Sequence, residues 1–293
     1  MEGARVRSAW LRVPLALAFV LPVYALHLFA PRLTGTRGML IGALLSAAIA
    51  AVLGWAAYRA YVVAVEQRAV TEFDPRGAPR ELAAGFVLGA AFFTATIATL
   101  AGLGVYRIVG RHDLAIVVAP LLGAIGTAVI EEILFRGIVF RIVESALGTW
   151  LAFIVSSALF GLLHLVNPQA TLQGAVAIAF EAGVRLAAAY VLTRRLWLPI
   201  GIHAGWNFTQ GGIFGVSVSG FRSRGLFDGT LTGPEWLSGG SFGAEASIVA
   251  VVLGIVLGAT LVTMASRRGR LVAPYWRRLD AVPAGAAGTA NRS

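Results

Sequence analysis

Of the 293 residues, 58% are hydrophobic and 13% charged, and the mean hydropathy is +0.79, a balance far from that of a soluble globular domain. Cysteine is absent, which excludes disulfides and thiolate metal sites. The net charge is +10 and every basic side chain is an arginine. These arginines cluster in short gaps between apolar runs, the pattern of a membrane protein's cytoplasmic loops and not of a nucleic-acid-binding face.

Runs of about 20 apolar residues mark membrane-spanning helices. In chain order they predict spans over Val13–Ala30, Gly38–Tyr58, Leu82–Tyr106, Leu114–Phe140, Trp150–Val166, Leu172–Leu192, Leu196–Phe214 and Ala246–Ala265. The fold class that follows is all-α: a polytopic membrane protein, a bundle of about eight transmembrane helices. Arg5, Arg7 and Arg12 precede the first run as in a signal peptide. That run is long, however, and no small-x-small cleavage site precedes PRLTG, so it reads as an uncleaved helix. Residues 1–282 read as one integral-membrane domain. Between the spans, Arg59–Glu81 is a balanced-charge loop with two prolines, and Val216–Glu245 is a Gly/Ser-rich loop. The end of the chain, 283–293, reads as a disordered tail.

With eight spans, the arginines divide unequally between the two sides. One side carries Arg5, Arg7, Arg12, Arg59, Arg68, Arg76 and Arg80, then Arg141, Arg194 and Arg195, and the six beyond Ala265, sixteen in all. The other carries only six: Arg32, Arg37, Arg107, Arg111, Arg222 and Arg224. Positive-inside bias places both termini in the cytoplasm. Arginine-only usage and the alanine-rich tail point to a GC-rich genome and a bacterial cell membrane.

Few ionisable residues fall within the spans: Glu131, Glu132, Arg136, His164, Glu181, Arg185 and His203, with His27 nearer an end. A charge at the bilayer centre costs about 2.5–3.5 kcal/mol on insertion scales, so each is a functional candidate. In EEILFR, Glu132 and Arg136 are four apart and can pair along the helix. Glu131 lies about 100° around the axis and is left without that partner, which suits general acid–base work. On this reading Glu132 and Arg136 serve mainly stability. His164 shares a helix face with Phe160, and His203 with Asn207. Glu181 and Arg185 read as a further structural pair, one able to line a water-filled cavity. His27 and His112 read as interfacial.

Glu131 and His164 lie at similar distances on either side of Gly148, the predicted turn between spans four and five, so a hairpin brings them level. By helical rise, Glu131, His164 and His203 lie about 12–21 Å from the arginine-rich side. That is near the middle of a core roughly 30 Å thick.

Glu-Glu-x-x-x-Arg (Glu131, Glu132, Arg136), Phe-x-x-x-His (Phe160, His164) and His-x-x-x-Asn (His203, Asn207) stand in that order on separate spans. Together they resemble the CPBP family, the CAAX proteases and bacteriocin-processing enzymes, with a motif core over about 114–214. No motif position departs from the pattern. The resemblance implies an intramembrane endopeptidase whose helices enclose a catalytic cavity. It implies one of two mechanisms. In the first, Glu131 and His164 activate a water while His203 and Asn207 stabilise the oxyanion, with Glu132, Arg136 and Phe160 in support. In the second, Glu131, His164 and His203 bind Zn²⁺.

The residues favour the first mechanism, with no cofactor. No H-E-x-x-H pair sets two ligands on one turn, and Asn207 is better suited to donating to an oxyanion than to ligating zinc. Two rival classes remain: a non-catalytic scaffold or immunity protein, and a proton-coupled transporter. The first predicts a lost motif position and the second predicts repeated halves with broken spans; neither is found. The partners expected are the lipid bilayer and a peptide or protein substrate in or at the membrane, with no nucleic acid. The sequence sets neither the oligomeric state nor the face on which the cavity opens.

Overall fold

A computed structural model describes residues 2–33 and 39–280; the tail read as disordered, 283–293, lies outside the described residues. The membrane helices are α1 (Glu2–Leu33), α2 (Met39–Ala64), α3 (Ala78–Gly102), α4 (Leu114–Leu147), α5 (Thr149–Val166) and α6 (Leu172–Thr193). They continue with α7 (Trp197–Asn207, extended by the π-helical turn Phe208–Ile213) and α8 (Ile248–Arg267). Among the described residues, seven of these are long and apolar enough to cross a membrane. The eighth, α7, has eleven α-helical and six π-helical residues. That is roughly 26 Å at α-helical rise, slightly short of a hydrocarbon core of about 30 Å. The protein is an integral, multi-pass membrane protein.

The all-α expectation holds for the bundle, which carries in addition one two-stranded ribbon outside its helices. Strand β1 (Tyr106–Arg111) pairs antiparallel with β2 (Phe227–Leu231), Tyr106 facing Leu231 and Arg111 facing Phe227, with an irregularity between Ile108 and Gly110. YRIVGR is apolar enough to merge with the preceding helix in a hydropathy window. The chain breaks from α3 at Gly104, whose φ of 73° is in the left-handed region that glycine tolerates. The loop predicted over Val216–Glu245 therefore contains β2 and a short helical turn, Glu235–Ser238.

Contacts sort the connections onto two sides. Arg12 at the start of α1 lies 3.8 Å from Glu66 and 3.3 Å from Ser145. Trp197 Nε1 donates to Asp74 O at 2.8 Å, and Thr149 N donates to Val272 O at 3.0 Å. Arg195 pairs with Glu81. These bonds gather the arginine-rich segments together. On the opposite side, the β-ribbon and the bond from His112 N to Leu226 O at 2.8 Å hold the connection after α3 against the one after α7.

α6 is the central helix: 78% of its apolar window is buried, against 22–44% in the other six long spans. Val52, Val87, Ile154 and Val256 point outward and are exposed, as a lipid-facing surface requires. α3 and α7 meet backbone to backbone through Gly85-x-x-x-Gly89 and Gly201-x-x-x-Gly205. A Cβ on Gly89 would lie 2.1 Å from Ile202 O, and one on Gly205 would lie 2.1 Å from Phe86 O. Small residues at this spacing let membrane helices approach closely. His203, two residues from each of Gly201 and Gly205, projects about 200° away from that contact, toward the interior of the bundle.

This contact is testable. Gly205→Ala should destabilise the protein by at least about 1–3 kcal/mol, as overpacking does, and Gly205→Leu should abolish folding. Gly102→Ala should be tolerated, because nothing lies within 4 Å of its added Cβ. Thermal unfolding of the detergent-purified variants measures the difference.

Candidate active site

Glu131 and Glu132 end the first part of α4. Arg136 lies within the π-helical stretch Ile133–Phe140 that follows, a kind of distortion found often at functional sites. Glu132 Oε1 accepts from Arg136 Nη1 at 3.0 Å, the i, i+4 pair read from the sequence, and also from His203 Nδ1 at 2.9 Å. Arg136 Nη2 donates to the carbonyls of Ala182 (3.2 Å) and Gly183 (3.1 Å), at the π-helical turn Ala179–Gly183 of α6. Its guanidinium lies 4.6 Å from the centre of the Phe160 ring. Glu132 and Arg136 are fully buried. The reading of Glu132 as a structural partner of Arg136 alone is therefore incomplete, because the same oxygen holds an imidazole.

The hydrogen-bond partners assign the imidazole tautomers. A carboxylate can only accept, so His203 Nδ1 carries the proton in its bond to Glu132. His164 Nδ1 lies 2.7 Å from Phe160 O, which also can only accept. In each neutral ring Nε2 is then a free lone pair. Glu131 is buried, and its Oε1 receives the Tyr24 hydroxyl at 3.5 Å. Its Oε2 lies 3.9 Å from His203 Nε2 and has no hydrogen-bond partner.

A cavity of about 460 Å³ brings Glu131, His164, His203 and Asn207 to one surface, with Leu28, Leu163, Val218 and Phe221 among its apolar walls. A few converging polar groups in an apolar cavity are the usual form of a small-molecule or peptide site. A larger hollow of about 620 Å³ is lined by the segment from Arg111 to Ile116 and gathers none of these groups.

Several readings change. Glu181 and Arg185 pair at 2.9 Å and are 1% exposed. Arg185 lies 4.0 Å over the Trp206 ring, so this pair sits in the core and not in the cavity wall. His27 is buried and not interfacial: its Nδ1 lies 2.8 Å from Ser46 Oγ, covered where α1 meets α2. His112 is half-buried in a connection, its Nδ1 3.0 Å from Gly225 O. His164 opens the 3₁₀ turn His164–Val166 that ends α5.

Two residues at the site escaped the sequence reading. Tyr24 carried no signal beyond an aromatic in an apolar span. Glu245, in the turn before α8, accepts from Ser219 N and so fixes part of the cavity wall. Burial, and then the charge of Glu181, push its carboxyl up to about 8.

Tying Nδ1 to an acceptor is also how zinc-binding histidines are held. Zinc further needs three donors gathered around one point at about 2.0–2.2 Å. Among the described residues, no three His, Asp or Glu side chains are so arranged. As they stand, Glu131, His164 and His203 do not fit the ion.

No curated protein and no solved structure matches the chain. Residues 113–209, which hold all three motifs on α4, α5 and α7, match the family model described as Rce1-like, type II CAAX prenyl endopeptidase Rce1-like, so over this part of the chain the resemblance to the CPBP proteases is borne out.

Proposed function

We propose that the protein is an intramembrane endopeptidase in which Glu131 activates a water molecule. The observation that carries this reading is the contrast between two neighbouring carboxylates. Each keeps one buried oxygen without a hydrogen-bond partner, but Glu132 is held by Arg136 and His203 outside the cavity, while Glu131 lines the cavity shared with His164, His203 and Asn207. The similarity to type II CAAX prenyl endopeptidases supports hydrolysis of a peptide bond as the reaction.

In the proposed sequence, Glu131 Oε2 takes a proton from water as the water oxygen bonds to the scissile carbonyl carbon. His164 Nε2 accepts the second water hydrogen and orients the attack. The carbonyl π electrons move onto oxygen, and the Asn207 amide N–H donates to the resulting oxyanion. His203 adds a second donor when Nε2 is protonated, because Glu132 keeps hold of its Nδ1–H. Collapse of the tetrahedral species breaks the C–N bond, and the proton held by Glu131 passes to the leaving nitrogen. Phe160 supports the ring of His164, with centroids 4.9 Å apart, and lies beneath Arg136. No metal takes part in this scheme. We further assign the protein to a bacterial membrane with both termini cytoplasmic, on the distribution of arginines.

Glu131→Gln should lower kcat by about 10²–10⁴-fold, the range of general acid–base contributions, with unchanged thermal stability. Near-normal turnover by this variant would overturn the assignment. Glu132→Gln should also reduce kcat, because the amide can turn its NH₂ toward His203 and lose the anchor. Arg136→Ala should destabilise by about 3–5 kcal/mol, the usual result of stranding one charge of a buried pair. Thermal melts alongside peptide-cleavage assays separate the two effects.

A chelator added to the purified enzyme should leave cleavage intact. Complete loss that zinc restores would replace this mechanism with a metal-dependent one.

A further inference from the structure

The cavity has a sided entrance. Its walls include Asn167 and Pro168, from the connection after α5, and Ser219, Phe221 and Ser223, from the connection after α7. Arg32, at the end of α1, lines the same cavity. All of these belong to the arginine-poor side. No residue of the arginine-rich connections, among those described, lines it.

The arginine-rich side is closed instead. Below Glu131, α4 continues through Ile138, Phe140 and Ile142, none of which is exposed. Beyond them Arg141 bonds Glu66 at 2.9 Å and lies 3.5 Å from Glu72. Glu144 accepts from Thr149 Oγ1 at 2.6 Å and pairs with Arg194. With Arg12 beside Glu66, these ion pairs join the start of α1, the connection after α2, the end of α4 and the turn after α6 into a packed layer, none of whose described residues lines the cavity.

Sixteen arginines against six orient the packed side toward the cytoplasm. We infer that the catalytic cavity opens to the non-cytoplasmic side, and that the substrates are apolar peptide segments that have crossed the membrane or are embedded in it from that side. This rests on the proteolytic reading of the site. The apolar walls, Leu28, Leu163, Val166, Val218 and Phe221, favour burial of apolar residues flanking the cleaved bond. Among the described lining residues, Arg32 is the one arginine and Glu131 the one carboxylate. A peptide carrying several charges would lose hydration there for few partners.

The absence of cysteine makes the test direct. Thr230→Cys places a thiol on exposed β2, and Ser223→Cys places one on the cavity wall. Arg76→Cys places one on the arginine-rich side, where the native side chain is 89% exposed. A membrane-impermeant maleimide applied to intact bacterial cells should label T230C and S223C, and should label R76C only after permeabilisation. Modification of S223C should also block peptide cleavage.

Labelling of R76C but not T230C in intact cells would overturn the sidedness. Failure of S223C to react from the T230C side would overturn the entry route. The labelling reads topology and not catalysis, so either failure leaves hydrolysis at Glu131 to be judged by Glu131→Gln alone.

Discussion

One carboxylate oxygen organises this protein. Glu132 Oε1 accepts at once from Arg136 on its own helix and from His203 on α7. Burying such a group is costly, and Coulomb attraction in a pair often fails to offset the lost hydration. Here the offset is spread over more partners. Arg136 donates to two carbonyls of α6 and lies over Phe160 of α5, so one guanidinium ties α4, α5 and α6 together, and the Glu132 it holds adds α7. A hydrophobic replacement could fill the same volume, but it could not fix the rotation of α7 relative to α4. That rotation determines where His203 points.

The backbone is shaped to receive these bonds. α4, α6 and α7 each contain a π-helical turn near their polar residues: Ile133–Phe140, Ala179–Gly183 and Phe208–Ile213. Such turns loosen the regular i→i−4 ladder, and the one in α6 offers the carbonyls of Ala182 and Gly183 to Arg136. The glycine contact with α3 acts on the opposite face of α7. It brings the helices so close that α7 cannot slide or turn without a clash. His203 is thus set by packing behind it and by a hydrogen bond in front of it.

This division explains which features were legible in the sequence. Glu132–Arg136, Glu181–Arg185 and Phe160–His164 are i, i+4 pairs, and one helix geometry fixes them all. Glu132–His203 and Tyr24–Glu131 join residues 71 and 107 positions apart, and depend on how helices pack, which periodicity does not encode. His27 was misread for the same reason: position near a span end predicts an interface, but a neighbouring helix covers it. The β-ribbon was hidden because YRIVGR adjoins an apolar helix and pairs with a segment more than a hundred residues later. The three motifs could be placed on three helices from spacing alone, while their convergence on one cavity needed the fold.

The same packing accounts for the chemical difference between two adjacent, identical side chains. Glu132 commits Oε1 to Arg136 and His203, and its other oxygen is enclosed in the core, away from the cavity. Glu131 lines the cavity instead: Tyr24 donates to one of its oxygens and the other faces His203 across 3.9 Å. Adjacent positions on a helix differ by about 100°, and that angle is enough to turn one carboxylate into the core and the other into the cavity. The fully buried acid anchors the imidazole, and the other acid faces the cavity. A double glutamate is thus two separate instruments, and neither could take the other's place without rotating α4.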